Sequence, residues 1–241
     1  MNPLLIELQK EKRTGIFPVL LATGVLGALY AFANFQIRGK ALLSLPLAPM
    51  DILLTQLYGM LLILNLFGII TAACILYHME YSGNAIRKIY LLPISAASLY
   101  FSKFLLLSLG FLLAAILQNL ALAWIGTTTL PQGTFKAGTL LAFAAYSFLT
   151  SMPVLSFMLF VSSRMENMWV TLGIGVIGFL SAMALANTKT PLILLHPFVV
   201  PLSPAIAMSA RPDLTVIAVS AFETALFLAA GLWAAKCLPH E

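Results

Sequence analysis

Residues 79–104 read MEYSGNAIRKIYLLPISAASLYFSKF, and the fold turns on what this stretch separates. An apolar run at roughly 52–76 precedes it and another at roughly 104–125 follows it. Between them lie Glu80, Arg87, Lys88 and Lys103, with Pro93 and a row of small hydroxyl residues. Crossing a hydrocarbon core takes about 20 apolar residues in a helix, so the pattern is that of two membrane spans joined by a polar elbow. Strands are disfavoured, because the runs lack the alternation of a barrel strand and a lipid-exposed backbone must satisfy its own hydrogen bonds.

Four further segments qualify as spans, at roughly 15–36, 137–162, 167–187 and 214–235. The fold class expected is an all-α polytopic membrane protein with six transmembrane helices in one domain over residues 1–241. Composition agrees: 61% of the 241 residues are hydrophobic and only 9% charged, against about 25% charged in soluble domains, and the mean hydropathy is +1.00. The net charge of +5 does not point to nucleic acid, since the 13 Lys and Arg stand singly or in pairs between apolar runs, as loop residues of a membrane protein do.

Six spans place both termini on one side. With the termini inside, Lys10, Lys12, Arg13, Arg87, Lys88, Lys103, Arg164 and Lys236 are cytoplasmic, against Arg38, Lys40, Lys136, Lys189 and Arg211 outside. The excess of inner basic residues favours cytoplasmic termini and a cytoplasmic elbow. The first run is read as a retained span rather than a signal peptide, because Glu7 and Glu11 precede it and both segments exceed a signal's length. Before it, Leu4, Leu5 and Leu8 share one helical face, with Glu7, Lys10 and Glu11 largely off it, which suits an interfacial amphipathic helix. From Thr190 to Asp213, Pro191, Pro197, Pro201, Pro204 and Pro212 would repeatedly break a helix. Short broken helices on the outer side are expected there, with a seventh span as the alternative.

Several motifs fall away on context. Gly173, Gly175 and Gly178 spell GIGVIG, but a dinucleotide fingerprint needs a strand before it and a soluble helix after it, and this one lies inside a span. Glycines there serve close helix packing. No GxxxxGK[ST] sequence occurs, so ATP hydrolysis would have to come from a partner. His78, His196 and His240 are scattered and no HExxH is present, so no metal centre or catalytic residue is expected. Cys74 and Cys237 read as small buried hydrophobes.

Polar groups within the spans remain. Glu223 lies some ten residues into the last span, where a carboxylate costs a few kcal/mol unless it faces protein, takes a proton or finds a cation. It is a candidate for contact with a cationic substrate or another subunit, or for a proton relay, the plain alternative being a hydrogen bond to Thr224 or Gln118. Gln118 and Asn119 are further candidates. Asn65, Tyr146, Ser147, Thr150 and Ser151 are read as joining helices.

The elbow has its own local grammar. A helix from about Gly83 to Leu91 would be amphipathic, with Ile86, Ile89 and Tyr90 opposed to Asn84, Arg87 and Lys88. Pro93 ends it. Ser95 can cap the next helix, whose first turns carry Tyr100 and Lys103 at the membrane surface. A short helix in a fixed elbow is a rigid shape for a partner to push; otherwise it is an ordinary loop with interfacial anchors.

These residues also carry a resemblance. A glutamate after span two, a lysine eight residues on, a Leu-Pro-Ile-Ser turn and Tyr-x-x-Lys entering span three, here Glu80, Lys88, Leu92, Pro93, Ser95, Tyr100 and Lys103, resemble the first cytoplasmic loop of ABC-2 type permeases. The opening ELQKEKRTGIF, Glu7 to Phe17, resembles that group's N-terminus. The length most resembles the permeases of lantibiotic immunity transporters. The resemblance implies a half-transporter in a bacterial cell membrane, paired with a second, similar permease above cytoplasmic ABC ATPases. ATP and Mg would bind those ATPases, with no cofactor bound by this chain. A coupling loop containing Glu80, Gly83, Arg87, Lys88, Pro93, Ser95, Tyr100 and Lys103 would carry their movement into the spans, and the substrate would be a cationic, amphipathic antimicrobial peptide. Glu223 matches no motif of that family. The competing expectations are an exporter of another drug or lipid-like substrate, a proton-coupled secondary transporter using Glu223, and a membrane scaffold or sensor. Against the secondary transporter stand a single deep acid and no visible internal repeat.

Overall fold

The structure is a computed structural model that describes residues 3–11, 15–82, 95–186, 188 and 190–236. Seven helices organise it: α1 (Pro3–Glu11), α2 (Ile16–Leu43), α3 (Tyr58–Ser82), α4 (Ala96–Thr129), α5 (Ala137–Ser162), α6 (Met168–Leu185) and α7 (Leu214–Lys236). The described residues contain no strand, and six helices are long and apolar enough to cross a membrane. The chain is therefore an all-α polytopic membrane protein. These six helices are apolar on every side, as membrane spans are.

Burial ranks the spans. In the second and fourth, 61% of the most apolar window is buried, against 22% in the fifth and sixth. So α3 and α5 form the centre, and α6 and α7 lie at the periphery with wide faces for lipid. One continuous core joins them, from Leu20 on α2 through Leu66 and Ile70 on α3 to Phe111, Leu155 and Phe198. Gly175 and Gly178 serve close packing, as expected: a Cβ at Gly175 would lie 2.7 Å from Ile70, and one at Gly178 would lie 2.6 Å from Phe198, whereas one at Gly173 would meet nothing within 4 Å.

Several helix ends differ from the apolar runs. The first span runs on to Leu43 instead of stopping near residue 36, and the third begins at Ala96 instead of near 104. Hydropathy marks the limits of hydrocarbon, whereas a helix continues until its caps. Ser95 supplies one, its Oγ accepting from the Ser98 N–H at 3.3 Å. At 34 residues, α4 is about 51 Å long, well beyond a hydrocarbon core of about 30 Å. Asn167 caps α6 in the same way, accepting from the Trp169 N–H at 2.9 Å. The second span opens with a π turn, Ile52–Gln56, before α3.

The proline-rich segment forms no seventh span. It folds as two short 3-10 turns, Pro191–Leu195 and Val200–Leu202, and a single α turn, Ser203–Ile206. It is tied to the start of the second span, where the Ala210 N–H donates to Asp51 Oδ1 at 2.8 Å and the Tyr58 hydroxyl donates to the Pro201 carbonyl at 3.3 Å.

A buried ionic joint at the stems of the loop

The amphipathic α1 is present, but Glu7 is turned inward and is 1% exposed. It reaches the stems of the loop that joins α3 to α4. Glu80 lies in the last turn of α3 and Lys103 lies eight residues into α4, and both are buried. The Lys103 ammonium donates to Glu7 Oε2 at 2.8 Å and to Glu80 Oε1 at 2.6 Å, and it stands 5.4 Å from the centre of the Tyr77 ring. Two carboxylates and an aromatic face thus surround one cation. Lys10, a turn beyond Glu7, adds a second cation: it pairs with Glu80 Oε1 and lies 3.6 Å from Glu7 Oε1. The four formal charges cancel.

Such an arrangement is what a lysine near the apolar zone requires, since an ammonium facing hydrocarbon must find counter-charges. Its mechanical consequence follows from connectivity. Lys103 belongs to one stem, Glu80 to the other and Glu7 to α1, so displacing any one strains its contacts with the other two.

The sequence places Glu80, Tyr100 and Lys103 on an exposed loop or at the membrane surface; the structure places them inside. They sit on helices because the segment from Ser95 onward is already α4. Tyr100 is 2% exposed and packs on Gly231 of α7, where a Cβ would lie 2.0 Å from its hydroxyl. Ser95 is the exposed cap already described. Gly83, Arg87, Lys88 and Pro93, with the helix expected over 83–91, lie outside the described residues.

Deeper in the bundle, Gln118 and Asn65 form a reciprocal amide pair. The Gln118 amide donates to Asn65 Oδ1 at 2.7 Å, and the Asn65 amide donates to Gln118 Oε1 at 3.0 Å. Gln118 also donates to the Thr23 carbonyl at 3.3 Å, which ties α2, α3 and α4 together. Gly27 makes room, since a Cβ there would come within 2.5 Å of Gln118 Nε2. Asn119 points elsewhere, donating to the Ala115 carbonyl at 2.8 Å. Asn65, Gln118, Asn119, Ser147 and Tyr58 border a cavity of about 10 Å³, room for about one water and too small for a peptide side chain.

Glu223 stands apart from both clusters. It is 2% exposed, and its Oε2 has no hydrogen-bond partner. Neither expected partner reaches it: Gln118 is engaged with Asn65, and the Thr224 hydroxyl donates to the Ser220 carbonyl at 2.7 Å. Cys74 is buried, as its apolar setting suggests, and Cys237 lies outside the described residues. The sequence reading missed Glu7 and Lys10 as members of the joint. The available signal was a lone lysine at the start of a long apolar helix, which needed a carboxylate from somewhere.

The fold and the joint define a multi-pass membrane protein with an N-terminal helix bound to the stems of its first inter-span loop on that side. Residues 4–182 match the family described as ABC-2 family transporter protein, and the chain belongs to it. It is thus the permease subunit of an ABC transporter, and membership implies association with an ABC ATPase. The match covers the joint, the first four spans and most of the fifth, and leaves α7, with Glu223, beyond it. No curated protein and no solved structure matches the chain.

Proposed function

We propose that this permease exports cationic, amphipathic peptides of the lantibiotic type, taking them from the membrane to the outside and so protecting the cell. The proposal includes a second, similar permease beside this one, cytoplasmic termini in a bacterial cell membrane, and ATP with Mg held by the ATPase. The segment 83–94 is the ATPase contact, and the Glu7, Lys10, Glu80 and Lys103 joint carries its displacement into α1, α3 and α4. One observation supports this reading above the rest: Lys103 is bonded at once to Glu7 and Glu80, so both loop stems and α1 are held by a single cation. The basic residues on that side of the spans favour its being cytoplasmic. The buried acid Glu223 is a natural counter-charge for a cationic substrate. For the substrate, the test is survival of cells expressing the permease with its ATPase under graded doses of a cationic lantibiotic and of an uncharged membrane-active drug. Protection against the peptide alone supports the reading, and protection against the uncharged drug alone refutes it.

A further inference from the structure

Helix α5 carries Pro153 within its length. Proline has no N–H, so the helical bond to the Leu149 carbonyl cannot form, and the ring crowds that carbonyl. Inside an apolar bundle an orphaned carbonyl is costly. Here another helix supplies the donor: the Ser220 hydroxyl of α7, 2% exposed, donates to the Leu149 carbonyl at 2.5 Å. Around the break, the hydroxyls of α5 turn back on their own helix. Ser147 donates to the Ala144 carbonyl at 3.0 Å, Thr150 and Ser151 both donate to the Ser147 carbonyl, and Ser156 donates to the Pro153 carbonyl at 3.0 Å. Back-bonding of this kind loosens and bends helices.

On either side of the break α5 and α7 pack in register. Tyr146 clusters with Val216, and Phe157 meets Phe227 edge to face at 5.1 Å between centroids. Ser220 therefore sits at the one place along this interface where the backbone of α5 lacks its own bond. A backbone N–H stays with its helix, whereas a serine hydroxyl leaves its acceptor by a single side-chain rotation. We propose that Leu149 to Pro153 is a hinge in α5, and that the Ser220 bond to the Leu149 carbonyl is the latch that sets its resting angle. During the transport cycle the latch opens, α5 bends, and α7 shifts against it. Glu223, the next turn on the same face of α7, is then the buried acid best placed to gain a partner. This rests on the peptide-export reading for its purpose, but the latch itself does not.

The test is a four-protein cycle: the native chain, Ser220→Ala, Pro153→Ala and the double variant. Without the proline, residue 153 donates to Leu149 and Ser220 becomes redundant. Ser220→Ala should lower the melting temperature of the purified permease by about 2–4 °C in the native background and by less than half as much beside Pro153→Ala. Equal shifts in both backgrounds overturn the latch. Assembled with its ATPase, Pro153→Ala should keep ATP hydrolysis and lose at least tenfold in transport; unchanged transport overturns the hinge. Pro153→Leu restores the same N–H if the alanine variant does not accumulate. A native complex that hydrolyses ATP and moves no cationic lantibiotic would refute the peptide-export reading instead, with the thermal cycle unaffected.

Discussion

Lys103 and Glu7 are separated by 96 positions in sequence, yet their side chains meet at 2.8 Å with both residues almost wholly buried. The contact makes α1 part of the transmembrane bundle, where an amphipathic pattern alone suggests only a helix lying on its surface. Removing one partner from such a pair strands the other charge.

Lys103→Ala should therefore destabilise the permease by about 3–5 kcal/mol, read as a lowered melting temperature in detergent. Lys103→Met and Lys10→Met combined with Glu7→Leu and Glu80→Leu should recover most of that loss, because apolar residues of similar volume replace the whole ionic group at little net cost. A single variant as stable as the native chain would show that the charges are not buried as described.

The amide pair makes a different prediction. Gln118→Leu leaves the Asn65 amide without its two bonds, and intramembrane hydrogen bonds are worth about 0.6–2 kcal/mol. The double variant Asn65→Leu with Gln118→Leu should cost less than the two single variants added together. Gly27→Ala should also destabilise, through its close approach to Gln118, and Gln118→Ala should relieve it. Strictly additive effects in a thermal melt would rule out the contact.

Glu223 should separate stability from activity. Its Oε2 has no partner, so Glu223→Gln should leave the melting temperature unchanged or raised, since a neutral amide is cheaper to bury than a carboxylate. If the acid meets the substrate, export of a cationic peptide should fall at least tenfold. Full export by Glu223→Gln would remove it from the transport route.

Outside the spans, the half-buried ring of His196 contacts Ser181 Oγ at 3.1 Å, and burial holds its imidazole below the ordinary histidine range. A histidine that resists protonation when folded favours the folded state above its ordinary value of about 6.5, and that contribution is lost as pH falls below it. Thermal stability should therefore drop between pH 7 and 5, and His196→Asn should flatten that part of the profile. An identical profile in the variant would contradict the assignment.

Much of this fold is legible in the sequence, because six apolar runs leave a helical bundle as the outcome that satisfies the backbone in lipid. The ends of α2 and α4 are not, since Arg38, Lys40 and the stretch after Ser95 extend the helices beyond the hydrocarbon. The residues of the joint are each visible, but their meeting is not. A helix as short as α1 offers weak facial periodicity, and pairing across 96 residues is a property of tertiary packing. Likewise, Asn65 and Gln118 read as helix-joining residues, while their choice of each other over Glu223 depends on the crossing of α3 and α4. Ser220 carries no signal of its own until it is seen to meet the Leu149 carbonyl that Pro153 leaves without a helical donor.

The proposed role of the joint is to transmit movement as well as to hold the fold. It is tested by peptide transport per ATP hydrolysed in the complex carrying Lys103→Met, Lys10→Met, Glu7→Leu and Glu80→Leu, after confirming that the variant folds and retains its ATPase. ATP hydrolysis should continue with transport reduced at least tenfold. Native transport per ATP in that variant would contradict it and reduce the joint to a structural clamp.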